Sequence, residues 1–133
     1  MVVKGGCLCA KVHYEVTEPL FNADHCHCSM CRRQHGAAFA TYAEFKSGNF
    51  KWTSGEKFVK VFEPLADVGW CFCGECGSTL AGTDKGKIRT ITLGTVEGGP
   101  GTRPESHIFV GSKAEWHDIC DNLPQFEERP PKT

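Results

Sequence analysis

No stretch of this chain approaches the roughly 18 consecutive apolar residues that a membrane-spanning helix needs, so a membrane is not an expected partner. Charge of one sign is missing too. Lys+Arg number 15 against Asp+Glu 16, a net charge of −1, and without a basic field nucleic acid is not an expected partner either. No linker rich in Gly, Ser or Pro divides the 133 residues, which are about one domain long. One domain is expected over residues 1–126, followed by a flexible tail, 127-EERPPKT-133. The opening MVVKGGCLCAKVHYEV holds no basic segment running into an apolar one, as a secretion signal would. The expectation is therefore a cytoplasmic protein.

What the chain does have is cysteine, nine of them. Thiols are kept reduced in the cytoplasm, an odd count leaves one unpaired, and closely spaced thiols suit chelation better than a disulfide framework. They fall as Cys7/Cys9, then Cys26/Cys28/Cys31, then Cys71/Cys73/Cys76, with Cys120 alone. The stretch 73-CGECGS-78 reads as a zinc knuckle, whose tight turn aims backbone N–H groups at the sulfurs and whose glycine adopts a conformation bulkier residues resist. A knuckle supplies two ligands and a structural zinc takes four. Cys7 and Cys9 have two to offer, so Cys7, Cys9, Cys73 and Cys76 make the simplest closed site. Cys26, Cys28 and Cys31 are then left as a three-thiolate set. Three protein ligands and an open position describe a catalytic zinc, and a sulfur-rich site suits a substrate thiolate better than hydroxide. Closure by Cys71, His25, His27 or His35 would instead make this second site structural. Two zinc ions per chain are expected, tetrahedral thiolate ligation favouring zinc over iron.

The rest of the chain reads as β. Residues 11–16 alternate polar and apolar, and 37–45, 57–63, 68–72, 78–82, 87–96 and 107–110 are rich in Val, Ile, Thr and aromatics. Turn material at 47–49, 53–55, 83–87 and 97–104 separates them, and the fold class is mostly β. Helix is confined to a turn or two N-capped by Ser29 and stopped by Gly36, with a second short turn within 114–124. Trp52, Trp70, Phe72 and Trp116 are read as core. Beside the three thiols, His27 and Ser29 are candidate proton donors, and Arg32 is a candidate clamp for a substrate carboxylate. Cys120 is read as inert, or else as a redox nucleophile.

The stretches 5-GGCLCAKVHYEV-16, 26-CHCSMCRRQHGAAF-39, 72-FCGECGSTL-80 and 107-HIFVGSKAEWHDICDNLPQF-126 resemble the glutathione-dependent formaldehyde-activating enzyme family, which includes centromere protein V. The resemblance implies a β-tent, several short coiled antiparallel sheets organised around zinc. It implies a structural zinc on Cys7, Cys9, Cys73 and Cys76 and a second on Cys26, Cys28 and Cys31. The implied activity is that of a carbon–sulfur lyase joining glutathione, or a similar thiol, to formaldehyde or a small aldehyde to give S-hydroxymethylglutathione or its analogue. Cys71 departs from the pattern. The competing readings are a non-enzymatic two-zinc binding module and a thiol redox enzyme.

Overall fold

The computed structural model describes residues 1–131. Eleven strands and one short helix follow in chain order: β1 Val2–Gly6, β2 His13–Thr17, β3 Leu20–Cys26, α1 Ser29–His35, β4 Ala40–Phe45 and β5 Phe50–Ser54. After them come β6 Val59–Leu65, β7 Val68–Cys73, β8 Thr79–Asp84, β9 Lys87–Thr92, β10 Val96–Glu97 and β11 Ser106–Ile108. They form two sheets, ordered β10-β1-β2-β5 and β11-β3-β4-β9-β8-β7-β6. Among the named strands every pairing is antiparallel except β3 with β11. The molecule is mostly β, as its alternating segments indicate.

β2 shows how alternation builds the core. Tyr14 and Val16 point inward, and the Tyr14 ring stacks on Phe50 at 5.4 Å and meets Trp52 edge-on. Gly5, opposite Tyr14 in β1, has no side chain because the Tyr14 ring occupies the space a Cβ would take. Val3, Tyr14 and Val16 from the smaller sheet, with Val12 just before β2, pack with Leu20, Ala23, Ala43, Phe45, Leu80 and Ile91 from the larger one. A second apolar cluster gathers Cys26, Cys31, Ala40, Trp70 and Ile108 near α1, with Tyr42 and Phe126 at its margin.

Several elements differ from the sequence expectation. The segment expected to be a strand over 87–96 is divided: β9 ends at Thr92, a 3-10 turn spans Leu93–Thr95, and β10 crosses to the other sheet. β3 escapes a pattern reading because Asn22 sits in the left-handed region and the pairing with β4 shifts between Phe21 and Asp24. Trp116 lies on the surface, 74% exposed, rather than in the core. The short turn expected within 114–124 does form, closing from the Ala114 carbonyl to the His117 N–H. The last expected element, the tail over 127–133, begins with chain that is held in place. Glu127 and Glu128 carbonyls accept from Gly111 and Phe109, while residues 132–133 lie outside the described residues.

Candidate metal centres

The sulfurs of Cys7, Cys9, Cys73 and Cys76 all lie within 4.8 Å of one another. Cys7 and Cys9 sit in the tight connection from β1 to β2, where Ala10 takes a left-handed conformation and its N–H meets the Cys7 carbonyl. Cys73 ends β7 and Cys76 follows in a knuckle closed by the Gly77 N–H on the Cys73 carbonyl, 2.8 Å, with Gly77 at φ 83°. Backbone donors point at the sulfurs, Val12 N to Cys7 Sγ at 3.3 Å and Glu75 N to Cys73 Sγ at 3.4 Å. Leu8 N donates to Ser78 Oγ, and Lys11 pairs with Glu75 at 3.0 Å, so the two turns are also joined outside the sulfurs. The hydroxyl and N–H of Ser78 bring the Cys76 thiol down to about 5. Zinc–sulfur bonds of about 2.3 Å place tetrahedral sulfurs about 3.8 Å apart. The Cys7–Cys9 and Cys9–Cys73 separations, 3.6 and 3.8 Å, match that spacing.

Cys26, Cys28 and Cys31 form a second group with all sulfurs within 4.8 Å. Cys26 closes β3, and Cys31 lies in the first turn of α1. The N-cap is Cys28 rather than Ser29: its sulfur accepts the Cys31 N–H at 3.2 Å, which both caps the helix and turns the thiol toward its partners. Gly36, left-handed at φ 61°, ends the helix as its position in the sequence foretells. Donation from Cys26 and Cys31 brings Cys28 down to about 2. Cys26 is raised because it donates to the other two sulfurs. The Tyr42 hydroxyl donates to Cys31 Sγ at 3.4 Å and accepts from Trp70 Nε1 at 2.8 Å. Three thiols this close together are a donor set suited to a soft or borderline cation.

Cys71 does not join this group. It follows Trp70 on β7 and so faces the other side of the strand, lining a shallow cavity of about 410 Å³ with Trp52, Val61, Thr83 and Ile88. Burial pushes its thiol up to about 11. Nor does His27 turn toward the thiols. Across β4, β3 and β11 one register row is Ala40, Cys26 and Ile108, and the row before it is Thr41, His25 and His107. Adjacent rows project to opposite faces, so the thiols lie on one face and the imidazoles on the other. His27 is fully buried on the imidazole face, its Nε2 2.8 Å from His107 Nδ1 and its ring 5.1 Å from that of Phe39. Burial, with the neighbouring His107 and His117, lowers it to about 4. His35 also stays out of the thiol group, its Nδ1–H donating to the Cys31 carbonyl at 2.9 Å. Arg32 makes no ion pair among the described residues, and its Nε is a buried donor without a partner. Ser29 is exposed at the start of α1, and Cys120 is exposed away from both groups. One group escapes the sequence reading: His25, His107 and Asp121 also converge within 4.8 Å. The parallel pairing of β11 with β3 sets His107 beside His25, and Asp121 joins them through its contact with His107 Nε2.

The family model for the glutathione-dependent formaldehyde-activating enzyme matches residues 2–112, most of the chain. This chain belongs to that family. Both cysteine groups lie inside the matched stretch, whereas Asp121 lies beyond it. Among solved structures, a crystal structure of a Rhodobacter sphaeroides protein is similar, with a TM-score of 0.58 and 25% identity over 72% of this chain and 89% of that one. No curated protein matches the chain. Among the described residues no helix is long and apolar enough to cross a membrane.

Proposed function

We propose that this chain is a zinc-dependent enzyme of the carbon–sulfur lyase class that joins glutathione, or a similar thiol, to formaldehyde or a small aldehyde. The observation that carries the reading is the contrast in ligand number. Residues of the family's matched stretch make one complete four-thiol group and one group of three, with Cys71 turned away from it. A zinc ion on Cys26, Cys28 and Cys31 supplies positive charge that keeps an incoming thiol ionised at neutral pH.

Arg32, which makes no ion pair among the described residues, offers its guanidinium to a carboxylate of the thiol substrate. The ionised sulfur attacks the carbonyl carbon, the carbon–sulfur bond forms, and the carbonyl electron pair moves to oxygen. Ser29, exposed at the end of α1 nearest the thiols, donates a proton to that oxygen and recovers one from solvent. The product is the hemithioacetal. His27 has no part in this step, because it lies on the opposite face of the sheet. Nine free thiols require a reducing compartment, which supports the cytoplasm, and residues 1–126 act as one domain.

Calorimetric titration of glutathione into the zinc-loaded protein tests the reading, with adduct formation from added formaldehyde followed by NMR. Saturable binding is expected, lost in Cys28→Ser and weakened by about tenfold or more in Arg32→Ala. Equal glutathione binding by the wild type and Cys28→Ser would overturn it. No binding by the wild type, with both ions in place, would point to a zinc module without activity.

A further inference from the structure

We infer that His25, His107 and Asp121 form a third metal site, for a divalent first-row transition ion held by two imidazole nitrogens and one carboxylate. The site is independent of the proposed thiol chemistry, since it occupies the other face of the β3–β4–β11 sheet. The ligand atoms already lie within 4.8 Å of one another. Metal–ligand bonds of about 2.0–2.2 Å put neighbouring ligand atoms of a tetrahedral site about 3.4 Å apart. His107 Nε2 stands 3.0 and 3.1 Å from the two Asp121 oxygens, so a small outward movement of an exposed carboxylate admits an ion.

The partners of these residues argue for metal more than their proximity does. A metal-bound imidazole is oriented by a hydrogen bond from its other nitrogen, and a bound carboxylate by a donor to its second oxygen. All three are present here. His25 Nδ1 meets Thr41 Oγ1 at 2.7 Å, which leaves Nε2 free; His107 Nδ1 meets His27 Nε2 at 2.8 Å; and Asp121 Oδ1 accepts the Leu123 N–H at 3.0 Å. With an ion on Nε2, His107 carries its proton on Nδ1 and donates it to His27. The proton of His27 then sits on Nδ1, the buried nitrogen that lacks a partner. His107 is buried and Asp121 is exposed, so the ion would sit at the surface with coordination positions open to solvent. Two nitrogens and an oxygen favour zinc, cobalt or nickel over calcium or magnesium.

Co²⁺ titrated into protein whose cysteine groups are filled with Zn²⁺ tests the site, read by ion content and by the imidazole NMR signals. One Co²⁺ is expected to bind without displacing zinc and to shift the ring signals of His25 and His107. Asp121→Asn should weaken uptake at least tenfold, and Thr41→Val, which leaves every ligand in place, by about 10- to 100-fold. Zinc content serves as the control for folding, and if Asp121→Asn misfolds, Thr41→Val decides. Absence of uptake, uptake only in exchange for cysteine-held zinc, or uptake unchanged in the folded variants would overturn the proposal. Asp121, His107 and His27 would then be a metal-free hydrogen-bonded chain.

Discussion

The two cysteine groups present the same donor atoms at very different chain separations. Cys9 and Cys73 are 64 residues apart and belong to turns on different sheets, whereas Cys28 and Cys31 are three apart in one turn of α1. By the loop-closure entropy that governs cross-links, tying the first pair constrains the unfolded chain by about 4 kcal/mol and the second by about 2. The distant group fastens the smaller sheet to the larger one. The local group adds little to the architecture and sits at the end of a strand and the start of a helix, where a ligand can be exchanged without separating the sheets. On the proposed reading, position along the chain gives one group to stability and leaves the other available for chemistry.

The sharpest way to break that contrast is Cys73→Ser. It should lose one ion and the cooperative thermal transition together, because apparent structural-zinc energies of about 10–16 kcal/mol match or exceed the stability of a whole domain. Cys28→Ser should also lose one ion but keep a cooperative melt, lowered by about 5–10 °C for a cost of about 2 kcal/mol. Equal losses of stability in the two variants would mean that chain separation does not divide their roles. Cys71→Ser should leave the ion count unchanged and cost about 1–2 kcal/mol for burying a hydroxyl in place of a thiol, measured by denaturant titration. A lost ion there would show that the second group has four thiols after all.

The smallest effect concerns the core that the distant group closes. Burial raises Tyr14 to about 12, whereas an unfolded tyrosine ionises near 10. Between those values the unfolded state gives up its proton first, so the Tyr14 contribution is intact below pH 10 and is lost as pH rises toward 12. Spectrophotometric titration should find its phenolate forming only near the upper limit, and Tyr14→Phe should flatten this part of the stability profile.

The cysteine spacings contain most of what can be read without a structure. A Cys-x-x-Cys-Gly turn is local geometry, so the knuckle at 73–77 follows from its own residues, and ligand counting then assigns Cys7 and Cys9 to it. The helix stop at Gly36 and the alternation in β2 are local in the same way. β1, β3 and β5 are less visible, because glycines, a left-handed Asn22 and flanking turn residues obscure their alternation. Alternation states that neighbouring residues face opposite ways but not which face meets which neighbour. That Cys71 turns from the second thiol group, that His27 lies behind it, and that His107 reaches His25 are decided by strand pairing. The sequence by itself therefore determined which cysteines cluster as candidate ligands, their spacing being a short-range property of the backbone. Only the tertiary structure decided which face each occupies, because register between strands depends on how distant segments share one core.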